Sequence, residues 1–274
     1  MSLCGCAGAS KLRSTGDQQL SKGIFYRPVE GSRETQTYLS YSETRKYEEN
    51  ELIHKKIEEV AFDVEALVKK VDENLGQVLV EVTTRNKRGD VDLHALAFPE
   101  NDETLKFVFD EKYNVLLADQ FPRTSLFYIP PVFLPLETVE VGGTWSNKKE
   151  WLGLYNNLPL RIDVTSILQD IVHCPGGEKC ANIEVSGRVN ITGEITNFTQ
   201  LDSLLHGRYL LGVDTGTIYW SAISSKEILT SSVDRVEIDS CLVSYLKKPE
   251  GQSLAGANKT LKCDHKLEQA PSLP

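Results

Sequence analysis

Asp72-Glu73-Asn74-Leu75-Gly76-Gln77-Val78-Leu79-Val80-Glu81-Val82-Thr83 decides the fold class. Val78, Val80 and Val82 recur at every second position, the period of a strand with one buried face. The five residues before them are polar or glycine and suit a turn. Upstream, Val60, Phe62 and Val64 alternate in the same way, so a strand through about Val68 predicts a hairpin. Leu105–Phe109 and Val115–Leu117, around Asp110–Asn114, predict a second. Arg208–Val213 and Thr217–Trp220, around Asp214-Thr215-Gly216, predict a third, where glycine supplies a positive φ. Gln36–Thr44 and Val236–Tyr245 are rich in β-favouring residues as well.

Helical spacing is scarce. Val164, Ile167, Leu168, Ile171 and Val172 fit one short helix closing before Cys174, capped by Asp163 or Thr165. Phe121–Pro135, with four prolines, reads as an extended connector, because proline removes ladder donors. The expected fold is therefore mainly β. Two antiparallel β-rich units, suggestive of a duplication, would form a sandwich or half-barrel with one or two short helices. The expected divisions are a flexible tether at 1–22, β units at 23–130 and 131–250, and a tail at 251–274.

The chain has 274 residues and a formal net charge of −9. That acidity disfavours a nucleic-acid partner and broad docking on anionic lipid, both of which need clustered positive charge. No stretch approaches the ~20 apolar residues of a spanning helix. The start, Leu3-Cys4-Gly5-Cys6 followed by small and polar residues, fits the Leu-x-Gly-Cys form that precedes lipid attachment at Cys6. If Met1-Ser2-Leu3 is a foreign leader, Cys4 takes that role. Acyl chains contribute ~0.8 kcal/mol per buried CH₂, so a multiply acylated cysteine anchors a chain without a spanning helix. Such a chain touches the membrane through its N-terminal lipid only.

The other cysteines are Cys174, Cys180, Cys241 and Cys263, an even number as an oxidising compartment favours. Cys174 and Cys180 flank a tight polar loop suited to a disulfide, and Cys241 with Cys263 would tie the tail to the last strand. His173 beside Cys174 lacks the paired short spacings of a zinc site, and no metal or cofactor is expected.

Leu134-Pro135, then Val139-Glu140-Val141-Gly142-Gly143-Thr144-Trp145, resembles an element of uncharacterised Gram-negative lipoproteins, Leu-Pro followed by Val-x-Val-Gly-x-[Ser/Thr]-Trp. The likeness is specific over about a dozen residues, and Gly143 stands where that family commonly has Asp. It implies an exported, β-rich, lipid-anchored protein on the periplasmic face of the outer membrane or at the cell surface. It names no ligand. Physically, Gly142-Gly143 permits a bend, and Trp145 would pack where the two halves meet.

No nucleophile elbow, phosphate-binding glycine loop or ligand-spaced histidine pair is present, so no catalytic residue is expected. The expectation is a non-enzymatic envelope protein that binds a hydrophobic ligand or a partner protein, with Phe127, Tyr128, Phe133 and Trp145 as groove candidates. The alternative is a hydrolase with a dispersed carboxylate site acting on cell-wall sugars. Its candidates are carboxylates such as Asp90 or Asp214. The i, i+2 pairs Asp90/Asp92 and Asp63/Glu65 would put two carboxylates on one strand face, as in a calcium or glycosidase site, but on an acidic protein such pairs read as solvent-facing positions.

Overall fold

The computed structural model describes residues 14–153, 157–174, 177–192, 200–231 and 234–247. Its strands are β1 (Gln19–Leu20), β2 (Arg33–Glu48), β3 (Glu51–Asp72), β4 (Gln77–Arg88), β5 (Thr104–Asp110), β6 (Val115–Ala118), β7 (Val139–Glu140), β8 (Thr144–Leu152), β9 (Pro159–His173), β10 (Lys179–Ile191), β11 (Gln200–Gly212), β12 (Ile218–Thr230) and β13 (Asp234–Lys247).

The three expected hairpins form as β3–β4, β5–β6 and β11–β12. Val78, Val80 and Val82 pair with Phe109, Phe107 and Leu105 on one face. Burying such side chains stabilises by ~1.5–3 kcal/mol each. A one-residue slip would turn all of them to water, so this pattern sets the register.

The two strand-rich stretches are not stacked as a sandwich. They join through antiparallel β13 and β2 into a single sheet of eleven strands, ordered β6-β5-β4-β3-β2-β13-β12-β11-β10-β9-β8. Strands about 4.8 Å apart would spread such a sheet over about 50 Å if it lay flat. Instead, side chains from β5 and β10 line one common cavity, so the sheet is curled on itself. Gly207 permits a close strand approach: a Cβ there would lie 2.7 Å from the Ala222 carbonyl oxygen on the neighbouring strand.

The edge strands β6 and β8 are not paired with each other; the proline-rich connector lies at the seam. Leu152 N donates to the Thr124 carbonyl (2.6 Å), and Ala118 N donates to the Tyr128 hydroxyl (3.2 Å). Between these bonds a 3₁₀ turn, Leu126–Tyr128, drives Phe127 into the core against Phe121 and Phe107.

The short helix expected at Val164–Val172 is strand β9. A bulge at Gln169 skips one residue in the pairing with β10, so inward positions run Val164, Ser166, Leu168 and then Ile171. Val172 faces the other way, into an outer cluster with Leu210 and Trp220. A bulge plus burial on both faces thus imitates helical spacing. Among the described residues the helical segments are two 3₁₀ turns, His94–Leu96 and Leu126–Tyr128.

The tether expected through residue 22 is docked from Ser14 onward. Ser14 bridges Val172, Thr15 N donates to the Ile171 carbonyl, β1 pairs with β7, and Leu20 is 2% exposed. The Leu134–Trp145 element therefore receives the N-terminal segment. Gly142 takes a φ of +86°, and its N–H bonds to the Leu168 carbonyl, which bends the chain from β7 into β8.

Cys174 and Cys180 form a disulfide at the β9–β10 turn. Cys241 is also disulfide-bonded, while Cys263, Cys4, Cys6 and the tail at 251–274 lie outside the described residues.

Candidate functional site, an apolar cavity inside the curled sheet

The inner face of the sheet encloses a cavity of about 430 Å³, within the range of small-molecule sites. One wall is aliphatic and aromatic: Val64 and Ala66 of β3, Val80 and Val82 of β4, Phe107 and Phe109 of β5. Opposite lie Ile162, Val164, Val185 and Leu205 of β9–β11, and the connector adds Phe127, Ile129 and Phe133 at the seam.

One end is crossed by residues 23–31. Ile24 N donates to the Pro135 carbonyl, Tyr26 N to Glu111, Arg27 N to Thr215 and Gly31 N to Val68, all at 2.8–2.9 Å. Each acceptor belongs to a different part of the fold, so this strap ties that end together. Ile24, within the strap, is 0% exposed. The Tyr26 ring stacks on Tyr113 with centroids 4.1 Å apart, and both line the cavity. Tyr113 holds a φ of +65°, uncommon for a bulky residue, which marks a tightly constrained turn.

The remaining wall carries polar groups among apolar ones such as Ile218, Ile223 and Leu242. In β2 the alternating inward residues are Glu34, Gln36 and Tyr38, and one cross-strand row runs Tyr38–Ser244–Ser221–Tyr209 over four neighbouring strands. The Tyr38 hydroxyl donates to Gln36 Oε1 (2.7 Å), Gln36 Nε2 donates to the Ile218 carbonyl (3.1 Å), and the Ser221 and Ser244 hydroxyls share a 2.7 Å bond. Burial pushes the phenols of Tyr26, Tyr38, Tyr113 and Tyr209 above their ordinary range, so they remain neutral donors at physiological pH. Glu34 is the one carboxylate among the lining residues. Burial raises its pKa, the Thr217 hydroxyl bonded at 3.0 Å opposes the shift, and the nearby charge of Glu178 adds to it.

Phe127 and Phe133, two of the four groove candidates, line the cavity. Tyr128 and Trp145 do not. Tyr128 closes the seam through its hydroxyl, and Trp145 Nε1 donates to the Phe133 carbonyl at 2.9 Å, fixing the connector. The carboxylates considered for hydrolysis are elsewhere. Asp90, Asp92 and Asp214 are exposed, and Glu65 is not a lining residue. Asp63 accepts bonds from Thr37, Asn86 and Lys247 at 2.7–2.8 Å on the face opposite Phe62. Burial works against its charge, but these three donors prevail and hold its pKa below the ordinary value. That cluster ties β2, β3, β4 and β13 together.

The residues missed from sequence are Tyr26, Glu34, Tyr38, Tyr113 and Tyr209. The available signal was polar alternation in β2, Glu34-x-Gln36-x-Tyr38, which belongs to the inner face.

No family model matches the chain, and no curated protein matches it. Among solved structures, it is similar to Ail, the attachment invasion locus protein of Yersinia pestis, at 7% identity over 79% of this chain and 99% of that one, with a TM-score of 0.18. It is also similar to an outer membrane channel from Pseudomonas putida F1, at 10% identity over 81% and 98% of the two chains, with a TM-score of 0.24. Scores this low carry no functional argument.

Proposed function

We propose that this chain is the folded part of an envelope lipoprotein that binds a hydrophobic ligand inside its curled sheet, without catalysing a reaction on it. The observation that carries the reading is the apolar cavity. Small-molecule sites are typically concave and mostly apolar, with a few placed polar groups, and this cavity has that make-up. The closely spaced Cys4 and Cys6, and the Leu134–Trp145 element resembling one in Gram-negative lipoproteins, support an anchored, exported protein.

The test is native mass spectrometry of the unacylated chain after incubation with an envelope lipid extract. Wild type is expected to retain one lipid per chain. Ala66→Phe, which places a ring in the cavity, is expected to retain much less while keeping its β circular-dichroism spectrum. Retention of no lipid by the wild type would overturn the reading.

A further inference from the structure

Glu34 is oddly placed for a structural carboxylate. It lines an apolar cavity, and its Oε1 accepts one hydrogen bond, from Thr217, while Oε2 receives none from a described residue. No lysine, arginine or histidine among the described residues forms an ion pair with it. Its neighbour Glu178 has no such ion pair either, but is satisfied by Asp214 N, Thr215 N, the Thr215 hydroxyl and the Tyr219 hydroxyl. Asp63, on the outer face, shows the contrast, with an ammonium 2.7 Å away and two further donors. A buried carboxylate without a counter-charge costs free energy. Glu34 is partly buried, and its side chain is part of the cavity lining.

The surroundings suit a cation. Tyr26 and Tyr113 stack face to face at the same strapped end and line the cavity, so a head group seated there would lie beside aromatic rings, which attract cations. Away from that end the lining turns to Leu205, Ile223 and Leu242, which suit an alkyl chain.

We propose that the ligand is a cationic amphiphile, its ammonium head seated against Glu34 beside Tyr26 and Tyr113 and its chain running toward Leu205, Ile223 and Leu242. This rests on the reading of the cavity as a hydrophobic-ligand site and names the ligand's chemical class. An ammonium group has three donors, enough to engage the unbonded oxygen and the neighbouring tyrosine hydroxyls. A carboxylate head would meet like charge at Glu34.

The test is competitive displacement of a fluorescent apolar probe from the full chain by dodecylammonium, dodecanol and dodecanoate. Dodecylammonium is expected to bind about tenfold more tightly than dodecanol, the scale of one charge-assisted hydrogen bond, with dodecanoate weakest. Glu34→Gln keeps an acceptor for Thr217 and removes the charge, so the ammonium-to-alcohol ratio should fall to about one. If the three compounds bind equally, or the ratio survives in Glu34→Gln, the head-group assignment is overturned while the hydrophobic site stands. If none displaces the probe, the hydrophobic-ligand reading itself falls.

Discussion

The two walls of the cavity are built by the same rule and to opposite effect. On β3–β5 the residues that line the cavity are all apolar: Val64, Ala66, Val80, Val82, Phe107 and Phe109. On β2, β13 and β12 the inward positions include Glu34, Gln36, Tyr38, Ser244 and Ser221. The first wall could serve any protein core. The second would be a poor core wall, since buried polar groups stabilise little even when bonded and cost free energy when not. The Ser221 and Ser244 hydroxyls pair with each other, the Tyr38 hydroxyl donates to Gln36, and among the described residues Glu34 accepts a hydrogen bond on one oxygen, from Thr217. The difference is that one wall is made as a core wall is made, while the other carries the polar groups that the proposed ligand site would use.

Truncating the apolar wall should do the most damage. Phe107→Ala removes a buried ring that packs on Phe109 and Phe127, and is expected to destabilise by about 3–5 kcal/mol in urea unfolding. A loss under about 1 kcal/mol would mean that this wall is not a packed core.

The polar wall should respond through its partnerships. Ser244→Ala leaves the Ser221 hydroxyl without its 2.7 Å partner and is expected to cost about 1–2 kcal/mol. The double variant Ser221→Ala with Ser244→Ala should cost no more than the single one, because no orphaned hydroxyl remains. Additive losses in the double-mutant cycle would show that the pair is not coupled.

Much of the fold was legible in the sequence because its strands alternate strictly; the Val78–Val82 stretch and its hairpin formed as read. β9 was misread because a bulge at Gln169 shifts the alternation by one residue, and an unpaired residue leaves no mark in composition. The cavity was illegible because it depends on β2 pairing with β13, nearly the whole chain apart, and local periodicity carries no record of such closure. Phe127 and Phe133 were found as aromatic residues of a proline-rich connector. Glu34 and Tyr38 were missed because polar alternation in a strand normally denotes the solvent face.

A smaller effect separates the walls by pH. The folded-state pKa of Glu34 is raised by burial and by the charge of Glu178. Its contribution to stability is therefore fully present below the ordinary carboxylate pKa and is lost as pH rises through the raised value. Glu34→Gln should then be more stable than wild type at neutral pH, with the gap closing toward about pH 4. Thermal unfolding at several pH values measures this, and a gap independent of pH would place Glu34 in water.

The most direct test of the central claim, that this sheet is curled around a ligand site, is native mass spectrometry of the unacylated wild-type chain beside Ala66→Phe, both exposed to the same envelope lipid extract. One retained lipid per wild-type chain, largely absent from the variant, is the expected result. Equal retention by the two proteins, or none by the wild type, would contradict it.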